Sequence, residues 1–95
     1  MKRLEFSWDP PKARSNKRKH GVSFEEAQTV FLDENALLIH DPDHSEEEDR
    51  FILLGLSARF RILVLCHCYR ESDEVIRIIS ARKAVRTEQK RYWKR

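Results

Sequence analysis

The side chains best suited to chemistry are two arginines, a histidine and a serine on neighbouring predicted strands in the second half of the chain. Arg61 and His67 lie on one strand and Ser80 and Arg82 on the next, each pair separated by an even number of residues. Alternation therefore places each pair on one face of its strand. Guanidinium and hydroxyl groups donate hydrogen bonds to phosphate oxygens, and imidazole can act as base or acid near neutrality. The alternative for Arg82 is a surface arginine that ends a strand and has no role in chemistry. The alternative for His67 is a core histidine bonded to the backbone.

A metal or redox site is not indicated by the cysteine and acidic residues. Cys66 and Cys68 are two residues apart on a strand, so they share a face and their backbone cannot easily bend to form a disulfide. His67 points to the opposite face, and no second pair of ligands completes a zinc site. The acidic run 46–49 is consecutive, so its side chains diverge. We predict two buried thiols, no metal and no cofactor.

Length and composition predict a single domain over residues 1–95. The chain has 95 residues and 11.4 kDa, with 40% hydrophobic residues and nine aromatic ones, which is enough for one core. This core excludes a disordered tail protein, although 37% of the residues are charged against about 25% in an average domain. Runs without charge reach eight residues, short of the roughly 20 that a membrane helix needs. The N-terminus lacks the apolar stretch of a signal peptide, so we expect a cytoplasmic protein.

Charge is arranged in three blocks along the chain. Residues 1–22 hold seven Lys/Arg and two acids, residues 23–49 hold ten acids and no Lys/Arg, and residues 50–95 hold twelve Lys/Arg and four acids. A basic surface with an acidic flank indicates a polyanionic partner. The alternative is a solvated surface on which the blocks neutralise one another.

The N-terminal half is predicted to form a strand followed by two helices. Residues 4–8 alternate as a short strand. Asp9 is predicted to cap the first helix, which has Pro10 at its first position and ends at Gly21. The pattern from Ser23 to Glu26 is typical of a capping box. The helix that follows turns a set of apolar side chains to the core: Phe24, Ala27, Val30 and Phe31.

The C-terminal half is predicted to form four strands and a last helix. The strands cover 36–40, 51–57, 61–69 and 74–81, with short connections between the last three that favour antiparallel hairpins. Residues 83–93 form a polar helix. The order predicts an α+β domain in which an antiparallel sheet carries two N-terminal helices and one C-terminal helix, mainly on one side. The strands 51–57 and 61–69, apolar on both faces, are expected at its centre.

Two long motifs resemble the signatures of the BrnT toxin family. The opening motif is Phe6-x-Trp8-Asp9-Pro10 followed by Lys12-Ala13-x-x-Asn16-x-x-Lys19-His20-Gly21-Val22-Ser23-Phe24-Glu25-Glu26-Ala27, and the closing motif is Ile76-Arg77-Ile78-Ile79-Ser80-Ala81-Arg82-Lys83-Ala84 with Glu88 and Tyr92. Asp43-His44-Ser45, Arg50, Gly55-Leu56-Ser57 and His67 extend the resemblance through the middle. It implies a RelE-like fold and a ribonuclease that arrests translation as the toxin of a type II toxin–antitoxin module.

The resemblance also implies partners. A BrnA-like antitoxin of the ribbon-helix-helix kind would neutralise the toxin, and operator DNA would be reached only through that antitoxin. A dimer within the toxin–antitoxin complex is compatible with this arrangement. Two other classes stay open: a non-catalytic module that binds nucleic acid or antitoxin, and an inactive scaffold.

RNA cleavage without a metal gives the candidate residues their roles. A base removes the proton of the 2′-hydroxyl, cations stabilise the pentacoordinate phosphorus, and an acid protonates the leaving 5′-oxygen. Arg82 is the first choice for the cation, with Ser80 one pleat away and Arg61 as a phosphate contact. His67 is the candidate base or acid.

Further residues are expected to bind RNA around that centre. Strict alternation along the last strand groups Arg82 with Ser80, Ile78 and Ile76, and turns Arg77 to the opposite face, toward RNA, antitoxin or solvent. The RNA-binding set is Arg77, Lys83, Arg86 and Tyr92. Trp93, a large aromatic in a polar helix, indicates a contact with a partner.

Overall fold

The computed structural model describes residues 4–41, 50–70 and 74–94. In chain order the elements are β1 (Glu5–Ser7), α1 (Pro10–His20), α2 (Phe24–Gln28), a 3₁₀ turn (Thr29–Leu32), β2 (Leu37–Asp41), β3 (Arg50–Leu56), β4 (Ile62–Arg70), β5 (Val75–Lys83) and α3 (Arg86–Lys94). The predicted loop at 42–45, the acidic run 46–49 and the turn at 71–73 lie outside the described residues. Within the described ranges, no helix is both long and apolar enough to cross a bilayer.

The five strands form one mixed sheet in the order β1-β5-β4-β3-β2. The pairs β2–β3, β3–β4 and β4–β5 are antiparallel, and the last two of these confirm what the short connections predicted. The first strand instead pairs in parallel with β5, with Phe6 opposite Ile76. The prediction of an antiparallel sheet is therefore wrong for one edge, because the last strand, β5, runs beside β1 in the same direction. The prediction that β3 and β4 lie inside the sheet is confirmed.

Helices cover both faces of the sheet. We call the face under α1 and α2 the front face; its buried side chains include Leu63 and Leu65 of β4, which pack with Phe24 and Ala27 of α2. We call the face under α3 the back face; there Val64 packs with Tyr92. The prediction of helices mainly on one side is thus corrected, because α3 crosses to the face opposite α1 and α2.

Helix α1 is joined to the sheet by one buried side chain. Pro10 stands in its first turn and Gly21 ends it in the left-handed region at φ 70°, both as predicted. Asp9 occupies the N-cap position as predicted, but the expected side-chain cap is absent, because its carboxylate makes no capping hydrogen bond to any described residue. The Nδ2 of buried Asn16 donates to Val22 O at 3.0 Å and to Ala81 O at 2.8 Å, and its Oδ1 accepts from Ala81 N at 3.1 Å. A helix with almost no apolar face is thereby held against β5.

The 3₁₀ turn links both helical layers through Asp33. Oδ2 of Asp33 accepts from the backbone N–H of Leu56 at 2.8 Å and from the Tyr92 hydroxyl at 2.7 Å. Gly55 permits this approach of the turn to β3, because a Cβ there would lie 2.8 Å from Val30 Cγ1. Helix α3 is thus anchored on the back face by a buried tyrosine bonded to a carboxylate of the N-terminal layer.

Replacement of Asn16 by alanine is expected to lower the free energy of unfolding by about 2–4 kcal/mol, because it leaves backbone groups of Ala81 and Val22 buried without partners. Urea denaturation of the purified chain measures this loss. Ser15→Ala, one residue earlier on the exposed side of α1, is the matched control and should stay within about 0.5 kcal/mol of the parent. An Asn16→Ala midpoint equal to that of Ser15→Ala would show that the three bonds do not hold α1.

Candidate active site

A β-bulge in β5 decides which side chains share a face. Cys66 pairs with Ser80 and His67 with Ile78, so Ile79 is an extra residue without an opposite partner. Directly paired residues of an antiparallel ladder point to the same face. Arg82 and Ser80 therefore lie on the back face. Arg77, opposite Cys68, joins them there.

The bulge corrects two predictions that assumed strict alternation. Ile76 and Ile78 do not share a face with Arg82; they face the front, where Ile78 is part of the core. Arg77 does not oppose Arg82 but lies on the same face. A bulge shifts the phase of alternation by one residue, and it has no signature in this sequence.

Arg82 is held by Glu88 of α3 in a two-point ion pair. Its Nη1 donates to Glu88 Oε1 at 2.8 Å and its Nη2 to Oε2 at 2.9 Å, and Nη1 also donates to Lys83 O at 3.3 Å. Glu88 further accepts from the backbone N–H of Val85 at 2.8 Å. Hydrogen bonding to Arg82 keeps the pKa of the Glu88 carboxyl below its ordinary value, against the opposing effect of burial. The pair fixes the orientation of the guanidinium.

One edge of the Arg82 guanidinium remains accessible. Three of the five N–H groups of an arginine are used by these bonds, and no described residue uses Nε–H or the second N–H of Nη2. The side chain is 42% exposed. Two adjacent N–H groups form the fork that binds phosphate at two points. Arg82 can therefore receive a phosphate without leaving Glu88.

The other surface candidates are divided between the two faces of the sheet. Ser80 is exposed and Arg77 is half-buried, both on the back face with Arg82. Lys83 is exposed and pairs with Leu63, which turns it to the front face, and Arg86 is exposed at the start of α3. No group of three or more His, Cys, Asp or Glu side chains within the described ranges is arranged to hold a metal ion.

Arg61 belongs to a structural ion pair on the front side. Its Nε donates to Glu26 Oε2 at 2.9 Å and its Nη2 to Glu26 Oε1, and Nη2 also reaches Gly21 O at 3.2 Å. Glu26 is 3% exposed and also accepts from the Ser57 hydroxyl at 2.7 Å. Hydrogen bonds from Arg61, the larger effect, and from Ser57 hold the pKa of the Glu26 carboxyl below its ordinary value, although burial acts to raise it. The structure thus gives Arg61 a bond that neutralises a buried carboxylate, and its predicted phosphate contact stays a prediction.

His67 lies in the front core. It has no exposed surface, and its ring stands edge-on to Phe31 at 4.9 Å between centroids and to Tyr69 at 5.3 Å. No described residue gives its Nδ1 a hydrogen-bond partner. Burial lowers its pKa to about 4. An imidazole without surface and on the face opposite Arg82 cannot contact the same RNA phosphate, so its predicted role as base or acid is corrected to packing.

Tyr92 is also a core residue. It is buried against Leu54, Val64 and Ala84, and its hydroxyl is bonded to Asp33. The predicted RNA contact by Tyr92 is therefore replaced by an anchoring role for α3. Arg82, Ser80, Arg77, Lys83 and Arg86 remain as the surface set.

Three residues that matter for the site were not singled out by sequence analysis. Glu26 was placed in a capping box, and Ser23 does accept from Glu26 N at 3.0 Å, but the glutamate side chain turns to Arg61. Asp33 lay between predicted elements without a pattern around it. Glu88 was noted only within the closing motif. It lies six residues after Arg82, and this spacing does not indicate an ion pair unless it is known that β5 ends at Lys83 and α3 begins at Arg86.

The fold is shared with a solved ribonuclease toxin. The crystal structure of the Brucella abortus ribonuclease toxin BrnT matches with a TM-score of 0.66, over 88% of this chain and 100% of that chain, at 22% sequence identity. No curated protein matches the sequence. The likeness establishes an α+β fold that a ribonuclease toxin also has.

A family model gives the relationship in sequence. The model of the ribonuclease toxin BrnT of type II toxin–antitoxin systems matches residues 8–88. The match assigns the chain to the ribonuclease toxins of type II systems, a class that implies an antitoxin partner. The chain belongs to the BrnT family, which confirms the resemblance seen in its terminal motifs.

Arg61→Met is expected to lower the free energy of unfolding by about 2–4 kcal/mol, because it leaves the Glu26 carboxylate buried without its cation. Urea denaturation checks the value. In the double variant Glu26→Gln/Arg61→Met the loss should be smaller than in Arg61→Met, since no uncompensated charge stays buried. Equal losses in the two variants would contradict the structural role of the pair.

His67→Phe is expected to flatten the dependence of stability on pH between 6.5 and 4. The unfolded chain binds a proton at this histidine below pH 6.5, whereas the folded chain does so only near 4. The parent should therefore lose up to about 3 kcal/mol through His67 as pH falls across this window. Urea denaturation at several pH values, with parent and variant in parallel, measures the difference. Parallel curves would show that His67 is not held neutral in the core.

Proposed function

We propose that the chain cleaves RNA as a metal-independent endoribonuclease and arrests translation, with Arg82 as its central catalytic residue. The single observation that carries the proposal is the accessible fork of Arg82, fixed by Glu88 on the back face of the sheet. We further propose that the fold is of the RelE-like kind and that residues 1–95 act as one domain.

The proposed reaction is an attack within the RNA chain. The 2′-hydroxyl gives its proton to solvent water, the 2′-oxygen forms a bond to the neighbouring phosphorus, and the bond to the 5′-oxygen breaks. The 5′-oxygen takes a proton from water, which yields a 2′,3′-cyclic phosphate and a 5′-hydroxyl. Arg82 would stabilise the negative charge that grows on the phosphoryl oxygens, and the Ser80 hydroxyl would donate to one of them. Since the imidazole of His67 is buried, electrostatic stabilisation is the main contribution that we assign to this chain.

The RNA backbone is proposed to extend over the basic residues around Arg82. Arg77 lies on the same face, and Lys83 and Arg86 are exposed where β5 leads into α3. Such contacts position the chain without reading its sequence, since they bind phosphate. Affinity should accordingly depend strongly on salt.

We propose that the antitoxin is a BrnA-like ribbon-helix-helix protein that covers or adjoins the same basic surface. Residues 50–95 carry twelve Lys/Arg and four acids, which favours an acidic antitoxin segment. Operator DNA would be bound only through this antitoxin, and two toxin chains would form a dimer within the toxin–antitoxin complex. We propose that the protein acts in the cytoplasm, where translation takes place.

A second candidate function is a module that binds nucleic acid or antitoxin without cleavage. The observation that favours it is that Arg82 is already neutralised by Glu88. In that case the fork would bind phosphate in the ground state only.

Arg82→Ala separates the two functions. Removal of a donor that acts in the transition state typically costs about 10²–10³ in rate, so cleavage of single-stranded RNA by the purified variant should fall by at least about 100-fold. Stability should change by less than about 1 kcal/mol, because the pair with Glu88 is partly exposed. Arg82→Lys should recover only part of the rate, since lysine lacks the planar fork.

The matched control is Arg14→Ala on the exposed surface of α1, which should cleave at the parent rate. In cells, induced parent and Arg14→Ala should arrest growth, whereas Arg82→Ala should not. If Arg82→Ala melts like the parent and cleaves as fast, the catalytic assignment is wrong. A parent that binds RNA and leaves it intact would favour the binding module.

A further inference from the structure

Two exposed aromatic side chains, Phe60 and Trp93, line the same depression at one end of the sheet. Phe60 lies in the turn between β3 and β4 and is 84% exposed, and Trp93 lies on α3 and is 62% exposed. The depression has a volume of about 390 Å³ and is floored by the half-buried Leu56 and Ile62. Its wall is formed by Gln89, which lies one helical turn before Trp93.

The turn between β3 and β4 does not require an aromatic side chain at position 60. Its backbone lies in the left-handed region at φ 63°, where bulky residues are rare and glycine or asparagine is favoured. The turn is closed by the N–H of Phe60, which donates to Ser57 O at 2.9 Å and needs no side chain. The ring therefore neither suits its backbone nor packs in the core, which indicates a contact outside the folded chain.

The surroundings of the two rings are basic. Lys83 lines the same depression, and an adjoining one shares Gln89 and Trp93 and adds Arg86, Lys90 and Lys94. No acidic side chain among the described residues lines either depression. Aromatic rings beside cations, without carboxylates, are typical of surfaces that bind single-stranded nucleic acid.

We infer that Phe60 and Trp93 form a subsite that stacks an unpaired RNA base, while the neighbouring lysines and Arg86 hold its phosphates. The inference rests on the proposed RNA substrate and deepens it. Gln89 lines the subsite and directly follows Glu88, which holds Arg82, so one RNA strand can contact the stacking rings and the cleavage site together. A base bound here would fix which phosphate of the strand meets the Arg82 fork.

Binding to a short single-stranded 2′-O-methyl RNA tests the subsite, because this RNA has no free 2′-hydroxyl and cannot be cleaved. Stacking on Trp93 should quench its fluorescence. Phe60→Asn and Trp93→Gln should each weaken binding by about 10-fold, within the range of one lost stacking contact. Phe60→Asn should melt at or above the parent temperature, since asparagine suits the turn. Leu32→Asn, at another exposed apolar residue, is the matched control and should bind as the parent does.

An abasic strand of the same length separates stacking from charge. On this strand the parent and both variants should bind equally, since the phosphates are unchanged. Parent affinity of Phe60→Asn for the 2′-O-methyl RNA would overturn the inference, and so would a deficit that persists on the abasic strand. Normal RNA binding with loss of antitoxin binding would reassign the rings to the protein partner. Cleavage of ordinary RNA by the parent is measured in a separate assay. A parent that does not cleave would contradict the nuclease proposal, whereas the binding measurements alone test the subsite.

Discussion

The hydrogen bond between the Tyr92 hydroxyl and Asp33 is the contact on which the candidate site depends. Asp33 receives the N–H of Leu56 through the same oxygen, so one carboxylate joins the N-terminal layer, the sheet and α3. Because Tyr92 is buried, α3 has a fixed position across the back face. Glu88 lies one helical turn before Tyr92, and this position brings its carboxylate to Arg82. The geometry of a surface arginine is thus set by a part-buried bond that involves neither Arg82 nor Glu88.

Most elements of the fold could be predicted from the sequence, because their signals are local. Pro10 and Gly21 bound α1, the Ser23 hydroxyl caps α2, and the apolar strands β3 and β4 lie inside the sheet. The parallel pairing of β1 could not be predicted in the same way. A three-residue strand carries no pattern that reports its partner or direction, which depend on how the whole chain returns to β5.

The candidate site was predictable in its residue types and only partly in its arrangement. Arg82 and Ser80 do share a face, but Arg61 and His67 lie across the sheet from them. Arg61, which precedes β4, bonds to Glu26 of α2. His67 is turned to the front by β4. Each of these two has a role that a sequence pattern does not reveal. Arg61 neutralises a glutamate that came from a capping-box position, and His67 fills an aromatic core. Long-range partners, rather than spacing along a strand, decide whether a polar side chain in this chain is buried or available to RNA.

The extra residue at Ile79 also bears on how this protein can change length during evolution. Loss of one residue from the bulge would restore regular pairing, and every side chain from Val75 to Ile78 would then exchange faces relative to Arg82. Ile78 would leave the core as Arg77 entered it. Point substitutions around Arg82 do not change which side chains of β5 face the core, whereas deletion of a single codon in β5 disturbs the core and the basic surface together. Selection on β5 should therefore tolerate exchanges of residue type far more readily than gaps.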